Sequence, residues 1–177
     1  MLLLERTLRL IVNILYWPLL VFVFHKDIWK IYDSYHRRER KWKRYLWERY
    51  MQKNVGVISL DAVYDSPIIF PHGISGIFIA SAAKIGKGCT VFQQVTIGIN
   101  SLKDSKNYGA PTIGDNVYIG AGAKVIGNVT VGSNTRIGAN AVVAKSCPEN
   151  SLVVCEMRII QREKPHDNTF HQYLENE

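Results

Sequence analysis

Ile113, Ile119, Val125, Val131, Ile137 and Val143 recur every six residues, and that period restricts the chain to very few folds. Gly follows the first, second, fourth and fifth of them, at Gly114, Gly120, Gly132 and Gly138. A fixed internal period is a repeat, and repeats outrank local patterns as a guide to architecture. One short strand per hexad turns an aliphatic side chain inward, and a small residue lets the chain bend at a corner. Three hexads then close a triangular coil, and stacked coils bury a continuous aliphatic column. The repeat predicts a parallel β-helix. It carries no chemistry of its own.

The same period extends upstream. Val57, Val63 and Ile69 are six apart, so the coils are expected to begin near residue 57. The phase slips across Phe70 to Phe78 (FPHGISGIF) and resumes at Ile79, Ile85, Val91 and Ile97. A second interruption, INSLKDSKNYGAP from Ile99 to Pro111, is polar and turn-rich and reads as a loop projecting from the coils. Departures from a solenoid, and loops on a rigid scaffold, are where such chains carry binding groups. Pro148 and Asn150 mark the last turn, and Ser151 to Ile160 is predicted to form a closing strand. Three parts follow: a helical, basic and aromatic segment over 1–53, the β-helix over 54–160, and a polar tail over 161–177.

The net charge of +7 is concentrated at one end: Lys26 to Lys53 holds ten Lys/Arg against four acids. Leu10 to Phe24 is almost wholly apolar, broken by Asn13 and Pro18. It is shorter than the about 20 residues a spanning helix needs. Glu5, and the lack of a small-residue cleavage site, argue against a signal peptide. The run reads as a helix packed on its own oligomer, one lying in a membrane interface, or a short span. From His36 to Met51 the chain is rich in helix formers, with Trp42, Tyr45, Leu46 and Arg49 at near-helical spacing. Basic and aromatic residues together suit an anionic membrane surface, an acidic polymer or a solvated face. Nucleic acid has no supporting motif elsewhere in the chain. Peripheral membrane contact through residues 10–50 is thus one reading among these, and the expected location is cytoplasmic, at the inner face of the membrane if that contact is made. Three widely spaced cysteines give no disulfide framework and favour a reducing compartment. Cys89 stands where a hexad wants a small residue and reads as packing.

Of five histidines only His72 lies in the coil region, inside the first interruption. One coil histidine cannot supply the imidazoles of a zinc site, so no metal is expected. Flanked by Pro71 and Gly73, His72 suits general-base work, since an ordinary imidazole titrates at about pH 6.5. A structural histidine in a turn is the other reading.

The run PHGISGIFIASAAKIGKGCTVFQQVTIG, and after the loop APTIGDNVYIGAGAKVIGNVTVGSNTRIGANAVV, resembles the hexapeptide-repeat acyltransferases. The likeness is strongest to the serine acetyltransferase-like branch and its relatives in capsule and exopolysaccharide gene clusters. It covers about Val57 to Ile160. It implies a left-handed β-helix, although crossover chirality ordinarily favours the right hand. It also implies a homotrimer with acetyl-CoA in a groove between neighbouring β-helices. His72 then matches the catalytic base of an H-x-x-G segment, here one residue longer. Ala121 and Ala139 match coil-corner alanines along the pantetheine arm, with Gly98 and Gly120 beside them where a Cβ would crowd a ligand. Arg136 matches a basic position near the nucleotide end of the cofactor, and Lys145 is a further candidate for its phosphates.

Two departures accompany the likeness. The Asp that orients the base falls near Val57, so Asp61, Asp65 or a backbone carbonyl would have to substitute. An Arg-His pair before the loop proline is replaced by Gly109 and Ala110, which removes the expected cation for a serine carboxylate. The resulting expectation is an acetyl-CoA-dependent O-acetyltransferase that acts on a saccharide hydroxyl of a surface polysaccharide or its precursor. His72 would take the hydroxyl proton, without a covalent enzyme intermediate. Serine O-acetyltransferase and a non-catalytic membrane-associated β-helix scaffold are the alternatives.

Overall fold

Each hexad becomes a strand of two or three residues with its aliphatic side chain pointing inward. The structure, a computed structural model, describes residues 28–38 and 41–156. A first sheet stacks β1 (Val57–Ile58), β3 (Phe78–Ile79), β6 (Thr96–Gly98), β9 (Lys124–Ile126) and β12 (Val142–Val143). A second holds β2 (Val63–Tyr64), β4 (Lys84–Ile85), β7 (Thr112–Ile113) and β10 (Thr130–Val131). A third holds β5 (Thr90–Val91), β8 (Tyr118–Ile119), β11 (Arg136–Ile137) and β13 (Leu152–Val153). Every strand pairing is parallel. The chain visits first, second and third sheet in turn, so each sheet is one side of a three-sided β-helix.

The inward column includes Ile79, Ile85, Val91, Ile97, Ile113, Ile119, Val125, Val131, Ile137 and Val143, all at most 4% exposed. Burying each stabilises the coil by about 1.5–3 kcal/mol. In the first coil the phase differs from expectation. Val57, Val63 and Ile69 are 54%, 50% and 56% exposed, while Ile58 and Tyr64 are buried and Phe70 packs on the core. Both sets are six apart and apolar, so the period fits either. The slip before Ile79 erases the register that would have chosen between them.

Register also measures the two interruptions. Ile79 pairs with Ile97, 18 residues on, which is one undisturbed coil. Ile58 pairs with Ile79, 21 residues on, so the first interruption adds three residues. Ile85 pairs with Ile113, 28 residues on, so the second adds ten. Asn116, Asn134 and Asn150 take the left-handed conformation at stacked corners, which Asn tolerates better than most residues. Gly120 is required by close approach: a Cβ there would lie 2.7 Å from the Ala139 backbone nitrogen.

The basic segment forms α1 (Trp29–Arg38) and α2 (Lys41–Lys53), and both pack on the open end of the first coil. An open coil end presents unpaired backbone groups, which must find partners or invite edge-to-edge pairing. Here one donor meets each side of the triangle. Trp47 Nε1 donates to the Ile58 carbonyl, Tyr32 Oη to Ala62 (3.1 Å) and Trp29 Nε1 to Ile68 (3.1 Å). Trp29, Tyr64 and Phe70 form a ring cluster beneath the helices, with Trp29 stacked on Phe70 at 6.1 Å. Burial raises the Tyr64 phenol far above its usual range.

The docked face of α2 is therefore Trp47 and Met51, at 2% and 4% exposure. Tyr45 and Arg49 are only half-buried. The buried aromatic of this segment thus works as a cap on the coil end, a role the charge pattern did not suggest. The run Leu10 to Phe24 and the tail over 161–177 lie outside the described residues. Among the described residues no helix is long and apolar enough to cross a membrane.

Candidate functional site

His72 is presented by the three added residues, at the edge where the third sheet turns into the first. The Gly73 N–H returns to the Phe70 carbonyl (3.1 Å), closing a turn over Pro71 and His72. Gly73 completes it at φ 71°, a conformation that favours glycine. Phe70 on one side and buried Ile74 on the other anchor this turn to the core, and Trp29 of α1 backs Phe70. The imidazole itself is exposed to solvent.

Its Nδ1 lies 2.8 Å from Gln93 Oε1, and its ring meets Phe92 edge-on at 5.2 Å. Gln93 occupies the next corner along the same edge. That corner is pinned: the Gly122 N–H donates to the Gln93 carbonyl (3.0 Å), and the Gln94 N–H to Ser75 (3.1 Å). Lys124 Nζ donates to the Gln94 carbonyl at 2.6 Å. Below these, Ala121 and Ala139 take the following two corners, linked by the Asn140 N–H to the Ala121 carbonyl (2.9 Å). On the third sheet beside this edge, Phe92 contacts Tyr118 (5.0 Å), and the Arg136 guanidinium lies over the Tyr118 ring (5.7 Å). His72 and Arg136 are three coil spacings apart, or about 14 Å along the axis.

His72, Gly120, Ala121, Ala139 and Arg136 thus line one edge and the sheet beside it. Gly98 and Lys145 do not join them. They sit where the first sheet turns into the second, the edge from which the ten-residue loop leaves. That loop does not project freely. Asn100 and Gly109 exchange backbone hydrogen bonds (2.9 and 3.0 Å), and Asn107 Nδ2 donates to the Ala144 carbonyl (2.6 Å). The tip still exposes Leu102 and Tyr108. Gly120 also owes its size to the chain itself, since backbone surrounds it, whereas at Gly98 the nearest atom is a side-chain end. A Cβ on Gly98 would meet Ile126 Cδ1 at 2.9 Å.

The two carboxylates expected to orient His72 lie on other edges. Asp61 is at the loop edge and is held by Arg44 (2.7 and 3.3 Å), whose guanidinium also meets Tyr35 Oη (2.7 Å). That guanidinium keeps the Asp61 carboxyl below the usual carboxylate range. Asp65 is at the remaining edge, where the second sheet turns into the third. The side chain that meets the imidazole is Gln93, which sequence reasoning missed. Coil arithmetic holds the signal, since the 21-residue step from Ile58 to Ile79 also leads from His72 to Gln93. Cys89 is fully buried, with its thiol pushed up by burial. Among the described residues no group of three or more His, Cys, Asp or Glu could hold a metal ion.

Three stacked parallel sheets with a six-residue repeat define a class, and comparison gives it a name. The bacterial transferase hexapeptide (six repeats) family matches residues 110–145, and the fold is the left-handed β-helix of hexapeptide-repeat proteins. The similar proteins are more particular. A serine acetyltransferase of Mycobacterium tuberculosis is 41% identical over 93 residues, covering 52% of this chain and 39% of that protein. One from Staphylococcus xylosus is 45% identical over 87 residues, covering 49% and 39%. Among solved structures, serine acetyltransferase isoform 3 of Entamoeba histolytica in complex with cysteine matches with TM-score 0.63 and 34% identity, covering 76% of this chain and 47% of that one. The Neisseria gonorrhoeae serine acetyltransferase in complex with serine matches with TM-score 0.60 and 30% identity, over 72% and 51%. The chain spans about two-fifths to half the length of these relatives.

These likenesses overturn the expectation of a saccharide acceptor and of the capsule-type branch. Every relative just described is a serine acetyltransferase, the alternative reading. The argument from Gly109 and Ala110 rested on one absent loop cation, and these likenesses outweigh it.

Proposed function

We propose that the chain is an acetyl-CoA-dependent serine O-acetyltransferase. One observation carries the reading: His72, Ala121, Ala139 and Arg136 follow one edge and its neighbouring sheet in order. An exposed base at one end and a guanidinium about 14 Å away suit an elongated thioester with an anionic far end. The small corners at Ala121 and Ala139 leave room for a slender chain between them. The likeness to serine acetyltransferases favours serine as the acceptor.

In this reading His72 takes the proton of the serine hydroxyl as the oxygen bonds to the thioester carbonyl carbon. The carbon–sulfur bond then breaks, and the departing thiolate takes the proton from the imidazolium. No acyl-enzyme is formed, since no serine or cysteine side chain bonds to His72 among the described residues. Lys124, fixed one residue from Gln93, supplies a cation on this edge for the serine carboxylate. Because Gly98, Lys145 and the loop lie on a different edge from His72, a site that uses all of them needs two protomers. A homotrimer, with the His72 edge of one copy facing the loop edge of the next, meets that need.

Thiol release from acetyl-CoA should rise saturably with L-serine, and Lys124→Gln should raise KM for serine by about tenfold with a smaller effect on kcat. Release that ignores serine would overturn the reading.

A further inference from the structure

We propose that Gln93 is the positioning residue of His72, an uncharged amide fixing the tautomer of the base where a carboxylate would otherwise do so. The inference rests on the acetyl-transfer reading for its catalytic consequence, but the tautomer can be measured independently.

With the Gln93 amide oxygen facing the ring, as it does here, the 2.8 Å contact is a hydrogen bond in which Nδ1 donates and Oε1 accepts. The neutral ring is then Nδ1–H, and the lone pair is on Nε2. Free histidine prefers the opposite form, so the choice is imposed by Gln93. The backbone of that corner is held on both sides, by the Gly122 N–H on the Gln93 carbonyl and by the Ser75 carbonyl on the Gln94 N–H, which keeps the amide beside the ring. The NH2 end of the amide in the same place would select Nε2–H instead, so the tautomer reports which end faces His72. Phe92, edge-on at 5.2 Å, restricts rotation of the imidazole about its own bonds. The turn from Phe70 to Gly73 fixes the backbone from which the ring extends. The base is therefore aimed by two neighbouring corners of the helix rather than by a flexible pair of side chains.

The alternative orienting groups are accounted for. Asp61 is committed to Arg44, Asp65 is on another edge, and Val57 cannot accept a hydrogen bond. Among the described residues no carboxylate bonds to His72. The chemical consequence is specific. A carboxylate at this place would both orient the ring and stabilise the imidazolium by its charge, whereas an amide does only the first.

Full-length protein labelled with ¹⁵N-histidine tests this by NMR, with His72→Ala identifying the resonances. The expected wild-type spectrum is an Nδ1–H tautomer at high pH, lost in Gln93→Leu. Turnover of Gln93→Leu should fall by between about tenfold and 10⁴-fold, the upper figure being the cost of a wrongly protonated base. Gln93→Glu keeps the acceptor and adds charge, so it should retain the tautomer. Its acid limb should move to higher pH by about one unit or more, because a carboxylate favours the charged ring. An Nε2–H wild-type tautomer, or Gln93→Leu with unchanged tautomer and turnover, would overturn the proposal. If the tautomer is as expected while His72→Ala keeps full turnover, the positioning stands and the acetyl-transfer reading fails.

Discussion

Replacing His72 by Ala is expected to lower turnover by about 10²–10⁴, the usual worth of a general base. The substitution should leave the fold intact. His72 is exposed, and its turn is held by Phe70, Gly73 and Ile74, none of which depends on the imidazole. Affinity for acetyl-CoA should change little, because Ala121, Ala139 and Arg136 occupy later coils. The effect should therefore fall on kcat, as expected for a group that acts in the transition state. Steady-state thiol release at saturating acetyl-CoA, with calorimetry for binding, separates the two. Unchanged turnover in a folded protein would remove His72 from the chemistry.

The second large effect is on stability. Trp47→Ala is expected to destabilise the protein by about 3–5 kcal/mol, as for other buried tryptophans. Trp47 is 2% exposed, packs between α2 and the first coil, and donates to the Ile58 carbonyl at the open edge. Truncation leaves a cavity and an unpartnered carbonyl together. Trp47→Phe should cost less, because a six-membered ring remains in place; the lost donor accounts for about 1–3 kcal/mol, and the missing part of the indole leaves a smaller cavity than Ala does. Urea unfolding of the three proteins measures the series. A loss below about 1 kcal/mol for Trp47→Ala would mean that α1 and α2 are an appendage rather than a cap.

That cap was not legible in the sequence. The ten basic residues between Lys26 and Lys53 suggested an anionic partner, but charge describes the solvated face of a helix and not the face that docks. Trp47 and Met51, four apart, were the docking pair. Recognising them required knowing that a triangular coil end leaves carbonyls in need of donors. The coils over Ile79–Ile97 and Ile113–Val143 were legible because, on each side of the loop, only one position of the six-residue period stays aliphatic throughout. The first coil was misphased by one residue, since Val57/Val63/Ile69 and Ile58/Tyr64/Phe70 satisfy the period equally.

The site was legible in part for the same reason. His72 stood out as the one coil histidine, and its edge is shared by Ala121 and Ala139. Sequence proximity misled for Asp61 and Asp65. Eleven and seven residues from His72, they lie at other corners of the triangle, whereas Gln93, 21 residues away, lies one coil along the same edge. Distance along a solenoid counts in whole coils. Gly98 and Lys145 fell on the loop edge because each coil passes three corners, and only complete coils return to one.

The most direct measurement is formation of O-acetylserine from acetyl-CoA and L-serine by mass spectrometry, with wild type and His72→Ala at equal concentration. Sedimentation should first establish that both preparations have the same oligomeric state. The expected result is serine-dependent product with the wild type and a loss of about 10²–10⁴ in rate with the variant. No serine-dependent product, or equal rates from both proteins, would contradict an acetyl transfer based on His72.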